Sequence, residues 1–337
     1  MTDTICLATL QPLAPGEVGF GYRNAGLKHV FGTTDICLPL GFDRREFFTR
    51  SAANAKGLSI SGVQQKLSLR LDTKTRRLVQ TAQGGGYILK PSPEGYPNAA
   101  ENEHAAMLAS KVMGIDTAAC SLVRFADGEL AYLTRRFDRL VDGGKVHQED
   151  LLQISGHSPS DKYGMSYEEA GEFVHRATKG KLAVIRDLFR RVMLSYVIGN
   201  NDLHFKNLSL QRLHDTPEGY FDQLTPTYDV LFVQAFSGSK EGQFLACDLL
   251  TDQSGEGEVF VPESQAYGFF TGHDFLELGR RYGLPAKVIK KAMLEQIRKK
   301  NALLAVIDKS FMPEPMKHEA SILVTQRCGA LEIGVER

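Results

Sequence analysis

The hydrophobic period of this chain changes partway along it, and that change narrows the folds open to it more than any other feature. Along Lys66-Leu67-Ser68-Leu69-Arg70-Leu71 apolar and polar residues alternate, the period-two pattern of a half-buried strand. The Gly84-Gly85-Gly86 turn leads into a second short strand, 87–90, closed by Pro91. A helix is expected over about 99–113, then strands at 121–125 and 130–137 around the Asp127-Gly128 turn. Residues 4–50 read as loop-rich with short apolar runs. Past Leu140-Val141-Asp142-Gly143-Gly144 the period becomes helical, with segments at 167–178, 183–198, 274–282, 285–304 (Pro285 at its start) and 314–326. The expectation is an α+β chain: a β-rich N-terminal lobe over 1–140 and a helical C-terminal lobe over 141–337.

Composition limits the function classes without choosing one. With 337 residues, 42% of them hydrophobic, the chain can bury a large core. Lys+Arg and Asp+Glu number 40 each, so net charge supplies no argument for a nucleic-acid or membrane partner. The five cysteines (Cys6, Cys37, Cys120, Cys247, Cys328) are scattered and never form a CxxC pair, as suits reduced thiols rather than a disulfide framework or a zinc knuckle. The N-terminus has no basic segment followed by an apolar run, and no window approaches a membrane span. A cytoplasmic protein is therefore expected, although export by a signal-independent secretion system would escape this test.

The chemistry concentrates in Asn200-Asn201-Asp202-Leu203-His204-Phe205-Lys206-Asn207 and, 22 residues after Asn207, in Thr227-Tyr228-Asp229-Val230. An Asp, an Asn five residues on and a second Asp past a hairpin are the spacing by which a phosphotransferase assembles a base and two Mg²⁺ ligands. Asp202 would accept or orient the proton of an acceptor hydroxyl, while the oxygen ligands Asn207 and Asp229 would hold Mg²⁺ against ATP. Lys206, inside the motif, suits neutralisation of a γ-phosphate. A β-rich lobe followed by a helical lobe carrying this set is the layout of a bilobal, protein-kinase-like fold.

Lys90 ends a short strand, which places it at the sheet edge, and the next helix carries Glu101 and Glu103, either of which could pair with it. Neither GxGxxG nor GxxxxGK[ST] occurs. In the position of a phosphate-covering loop stands Leu58-Ser59-Ile60-Ser61-Gly62-Val63-Gln64-Gln65-Lys66, where Gly62 permits close backbone approach. His147, Gln148, Glu149 and Asp150 follow the lobe boundary and read as a helix cap.

The motifs SISGVQQK, YILKP, NAAENEH, LTRRFDR, HQEDL, NNDLHFKN and TPTYDVLF occur in the order found in HipA-like serine/threonine kinases, the toxins of bacterial toxin–antitoxin operons, and the chain resembles that family from about Ser59 to Phe232. The resemblance implies an ATP- and Mg²⁺-dependent kinase. Asp202 would be its catalytic base, His204, Phe205, Lys206 and Asn207 would lie near the nucleotide, Tyr228 and Asp229 would form the metal-binding motif, and Lys90 would be the ATP lysine. It also implies a hinge at Arg135, Arg136 and Phe137 beside adenine. A loop of Ser61, Gly62, Val63, Gln64, Gln65 and Lys66 would cover the phosphates. The autophosphorylation position falls on Ser59, with Ser61 as a second hydroxyl, and a phosphate there would add about −1.5 to −2 charges.

The short stretch before the loop resembles the HipT type. That resemblance implies two partners, a small HipS-like antitoxin and a HipB-like helix-turn-helix protein, so that DNA is reached only through the partner. It also implies an aminoacyl-tRNA synthetase as protein substrate. Three other readings of the same residues stay open. A metal-dependent hydrolase would use Asp202, His204 and Asp229 as ligands. A pseudokinase would bind ATP as an interaction module, and a small-molecule kinase would share the scaffold.

Overall fold

A computed structural model describes residues 4–17, 20–54, 64–140, 144–213, 216–236, 243–251 and 259–335. The chain forms two units, one of Met1–Leu108, Ala118–Lys145 and Lys309–Pro313, the other of Ala109–Thr117, Val146–Asp308 and Glu314–Arg337.

The first unit is built on five antiparallel strands: β1 (Leu67–Asp72), β2 (Arg77–Gln80), β3 (Tyr87–Pro91), β4 (Cys120–Arg124) and β5 (Leu130–Arg135), in the order β2-β1-β3-β5-β4. The register sets Leu67 opposite Leu89 and Leu89 opposite Leu133, a row of leucines across three strands that is almost wholly buried. One residue along, on the other face, Lys90 stands opposite Tyr132 and Tyr132 opposite Leu122, and these too are buried. The sheet is thus covered on both sides. That corrects the placing of Lys90 at a sheet edge. Its strand is the central one, and Pro91 can end it because β1 pairs only as far as Leu89, leaving the Pro91 position bonded to β5 alone.

The segment before β1 is also more ordered than its sequence suggested, with helices α1 (Asn24–Phe31) and α2 (Arg44–Asn54). It covers β4, the edge strand. Leu122 donates to the Leu7 carbonyl (3.0 Å), Leu40 to that of Arg124 (2.9 Å) and Ala126 to that of Phe42 (3.0 Å), while Phe42 and Phe47 meet Phe125 edge-on. α1 is only eight residues long and α2 is mostly polar, so neither carries a sustained helical period. α3 (Ala99–Val112) follows the sheet strand β3.

The second unit holds α4 (Leu151–Ser155), α5 (Tyr167–Ala177), α6 (Leu182–Ile198), α7 (Gly272–Arg281), α8 (Ala286–Arg298), α9 (Lys300–Lys309) and α10 (Glu314–Glu332). A small antiparallel sheet in the order β6 (His147–Asp150), β7 (Ser209–Arg212), β8 (Gln223–Leu224) completes it. α6 carries Arg186, Asp187 and Arg190 on an open side in its first half but is buried all round from Arg191 to Ile198, with Ile185, Leu188, Phe189, Val192, Met193, Val197 and Ile198 in the core. It stops at Gly199, whose φ of +67° is a left-handed conformation that glycine adopts without a Cβ clash. Arg327 of α10 donates to the carbonyls of Tyr196 (2.5 Å) and Phe244 (3.3 Å) and lies over the Tyr196 ring. The chain leaves α6 at a fixed point and direction, and the next residues are the Asp202 loop.

Candidate active site

In the second unit the Asp202 loop is held mainly through its backbone. Ser195 donates to the Asn200 carbonyl (2.6 Å), the Asn200 side chain accepts from the Asp202 amide (3.2 Å), and Tyr167 donates to the Leu203 carbonyl (2.8 Å). The Asp202 carbonyl then accepts from both the His204 amide (2.8 Å) and Asn207 Nδ2 (3.0 Å). That second bond fixes the Asn207 amide: its nitrogen is committed to the loop, so its oxygen is the atom that could accept a ligand. A single turn of tighter helix, Phe205–Asn207, places the buried Phe205 beneath the loop.

The second acidic residue is positioned separately. Thr227 bridges to Thr117 and its amide donates to the Asp116 carbonyl (2.8 Å). The Tyr228 hydroxyl meets Ser209 Oγ (2.6 Å) and donates to the Lys206 carbonyl (2.9 Å), tying this segment to the Asp202 loop. Asp229 has φ +58°, the left-handed region, a cost that Asp tolerates better than most side chains and that clusters at functional sites. Two hard oxygen donors, Asn207 and Asp229, on anchored backbone suit an ion such as Mg²⁺, which takes few protein ligands and completes its shell with water and phosphate. Among the described residues, no three His, Cys, Asp or Glu side chains gather as a metal site, which is what a hydrolase using Asp202, His204 and Asp229 would need.

His204 is buried, and burial holds its imidazole below the usual histidine range, against the opposing pull of Asp202, whose Oδ1 lies 3.8 Å from Nε2. Asp150 caps α4 in a reciprocal arrangement with Gln153, accepting from the Gln153 amide (2.8 Å). Its carboxyl is raised by burial, with Lys206 and His204 pulling the other way, so the capping carboxylate also belongs to this electrostatic cluster. Two further neighbours were not legible in the sequence. Tyr163 donates to Asp202 Oδ1 (2.8 Å), and Cys247, its thiol pushed up to about 12 by burial, also feels the Asp202 charge.

In the first unit Lys90 Nζ lies 2.8 Å from Glu103 Oε1, with both side chains almost buried, and 5.6 Å from the centre of the Tyr132 ring. Of the two glutamates open to it, Glu103 is the partner. Glu101 instead bonds Asn98 (3.2 Å) and Ser92 (3.5 Å), and burial raises its carboxyl. Gln64 donates to the Pro91 carbonyl (3.0 Å), so the described end of the Ser61–Lys66 loop adjoins the Lys90 strand end, with Gln65 exposed and Lys66 half-buried. Ser59, Ser61, Gly62 and Val63 lie outside the described residues. Arg135 is exposed and Phe137 half-buried. Arg136 forks onto Asp138 (2.9 and 2.7 Å), where Arg139 joins it. Burial works to raise the Asp138 carboxyl, but the two arginines outweigh it and hold it low. No described helix is long and apolar enough to cross a membrane.

A five-stranded antiparallel sheet whose central-strand lysine pairs with a helix glutamate, and a helical unit carrying the Asp, Asn and Asp loops, define a kinase-like α+β fold. The same fold occurs in a chain of the Shewanella oneidensis MR-1 toxin–antitoxin complex of HipA, HipB and operator DNA, at a TM-score of 0.64 and 23% identity, over 82% of this chain and 66% of that one. It occurs again in the Helicobacter pylori proinflammatory kinase CtkA, at a TM-score of 0.54 and 15% identity, over 82% of this chain and 92% of that one. The sequence model of the HipA-like C-terminal domain matches residues 58–303, and the chain belongs to that family. A Haemophilus influenzae protein named "Putative kinase" is 36% identical over 96% of this chain and 95% of its own length. Two Sinorhizobium fredii relatives of the same description, Y4dM and Y4mE, are 33% and 29% identical, and the chain spans only about half of their length, 48% and 43%.

Proposed function

We propose that this protein is an ATP-dependent serine/threonine protein kinase acting as the toxin of a toxin–antitoxin system. The observation that carries the reading is the Lys90–Glu103 pair at 2.8 Å. A buried lysine at the end of a central strand, held by a helix glutamate, serves a kinase by fixing an ammonium where it meets nucleotide phosphates, and it has no use in a hydrolase. Asp202 receives the acceptor proton, Asn207 and Asp229 would hold Mg²⁺, which would neutralise the ATP phosphates, and Lys206 adds charge at the γ-phosphate. His204, Phe205 and Tyr228 shape the nucleotide surroundings, Arg135 to Phe137 flank adenine, and Ser61 to Lys66 cover the phosphates. The division of labour follows the lobes 1–140 and 141–337.

Regulation by autophosphorylation on Ser59 or Ser61, the compact HipT type, a HipS-like antitoxin, a HipB-like DNA-binding partner and an aminoacyl-tRNA synthetase as substrate complete the reading. The HipB element has its support in the structural relative, which was solved with HipB and operator DNA. The test is expression of the wild type, Asp202→Asn and Asp229→Asn in bacterial cells with quantitative phosphoproteomics. Growth arrest with one dominant new phosphoserine, lost in both variants, is expected. Toxicity with an unchanged phosphoproteome would overturn the proposal.

A further inference from the structure

Tyr163 lies outside every motif that the phosphotransfer reading uses, yet its hydroxyl donates to Asp202 Oδ1 at 2.8 Å. It sits in the turn between Pro159–Asp161 and α5, 46% exposed, and two further contacts hold its ring. The ring meets His204 edge-on at a centroid distance of 5.2 Å, and the Lys162 ammonium stands 4.5 Å above its centre. Burial first, then the Asp202 carboxylate, drive the phenol well above the usual tyrosine range, so the group is a proton donor throughout the physiological range. His204 Nε2 approaches the same oxygen at 3.8 Å. Among the described residues no hydrogen bond is made to Oδ2, and the Asp202 side chain is 45% exposed. One carboxylate oxygen is therefore held by the protein, while the other carries no bond from the described residues on a side chain that is partly open to solvent.

We infer that Tyr163 is a positioning residue for phosphoryl transfer, which pins Asp202 Oδ1 so that Oδ2 is presented to the acceptor hydroxyl. The inference rests on the kinase reading above. In the step it serves, the acceptor oxygen bonds to the γ-phosphorus and the bond from that phosphorus to the β,γ-bridging oxygen breaks. ADP leaves, and the hydroxyl proton passes to Oδ2. A base that must meet a hydroxyl in a narrow range of geometry gains from an orienting third group, the logic by which a base is itself held in nucleophilic catalysis. An exposed aromatic that merely filled the loop would give the same packing without the hydroxyl, and the phenylalanine variant separates the two.

The test uses purified full-length wild type, Tyr163→Phe and Asp202→Asn with γ-phosphate-radiolabelled ATP, Mg²⁺ and a bacterial cell extract freed of nucleotides as acceptor. Initial labelling rates are measured against ATP concentration, beside ATP titration and thermal melting. Tyr163→Phe is expected to lower the plateau rate about tenfold, the scale of a lost charge-assisted hydrogen bond. The KM for ATP, ATP affinity and melting temperature should stay at wild-type values. Added to Asp202→Asn, it should leave the residual rate unchanged. A plateau within about twofold of wild type overturns the inference and leaves the kinase reading standing. So does a rate that falls together with ATP affinity and melting temperature, which would make Tyr163 a packing residue. A wild type that neither binds ATP nor labels protein overturns both.

Discussion

Lys90 and Glu103 illustrate how much one pair can determine. Each side chain is nearly inaccessible, and burying either charge alone would be costly, so the pair is stable only as a pair. Lys90→Met should abolish phosphotransfer and also destabilise the protein by about 3–5 kcal/mol, because the buried Glu103 carboxylate loses the Lys90 ammonium. Adding Glu103→Leu should restore melting temperature without restoring transfer. Thermal melting beside an ATP-labelling assay checks both. His104, one residue along α3, is a different case. It is fully buried, among the described residues neither ring nitrogen meets a partner in good hydrogen-bond geometry, and burial lowers it to about 4 against a weaker opposing pull from the nearby Ala8 backbone. Since the unfolded chain takes up that proton first, near the ordinary value of about 6.5, the neutral imidazole's contribution is complete above that pH and is lost as pH falls toward about 4. The loss should be on the order of 3 kcal/mol. Chemical denaturation at pH 7 and pH 4.5 should show it in the wild type and much less of it in His104→Leu.

Elements are set by their ends and their closest contacts. The helical period of 285–304 reads as one helix, but the chain makes two, α8 and α9, broken at Lys299. The Lys299 ammonium donates to the Val112 carbonyl (3.1 Å) at the end of α3, a bond that answers an unpaired helix-end carbonyl and that periodicity cannot reveal. α5 depends on a glycine for a steric reason. A Cβ on Gly171 would lie 2.2 Å from Tyr282 Cε1, and Tyr282 cannot swing away because its hydroxyl is bonded to the Tyr167 carbonyl (2.6 Å). Gly171→Ala should therefore cost about 1–3 kcal/mol despite alanine's better helix propensity. A fall in melting temperature of several degrees is the expected result, and an unchanged or raised one would show that the ring can move.

For the molecule as a whole, ligand binding and stability are linked. If Asn207 and Asp229 hold Mg²⁺ against ATP, Mg²⁺ and ATP together should raise the melting temperature. At a hundredfold excess over Kd the native state would gain about 2.7 kcal/mol. A chelator, or Asp229→Asn, should remove most of the shift while leaving the apo melting temperature near wild type. Differential scanning fluorimetry with and without Mg²⁺ reads the effect directly. A full shift in Asp229→Asn would exclude that residue as a ligand.

The change of hydrophobic period was enough to set the α+β class and to place β1, β3, β4, β5, α5, α6 and α7 within a residue or two, because burial on one face leaves its mark on local spacing. The Asp202, Asn207 and Asp229 spacing was equally legible as a pattern, since these polar residues interrupt otherwise apolar surroundings. What spacing could not carry were contacts made between distant segments. β3 became central only because β1 and β5 flank it, and Glu103 rather than Glu101 became the partner of Lys90 through the turn of α3. The covering of β4 by residues 4–54 depends on backbone bonds that carry no side-chain signature. Tyr163 reaches Asp202 across 39 residues, and no local pattern distinguishes it from any other loop aromatic. Local sequence encodes which face of each element avoids water, whereas which polar groups meet is decided by the packing of elements remote in the chain.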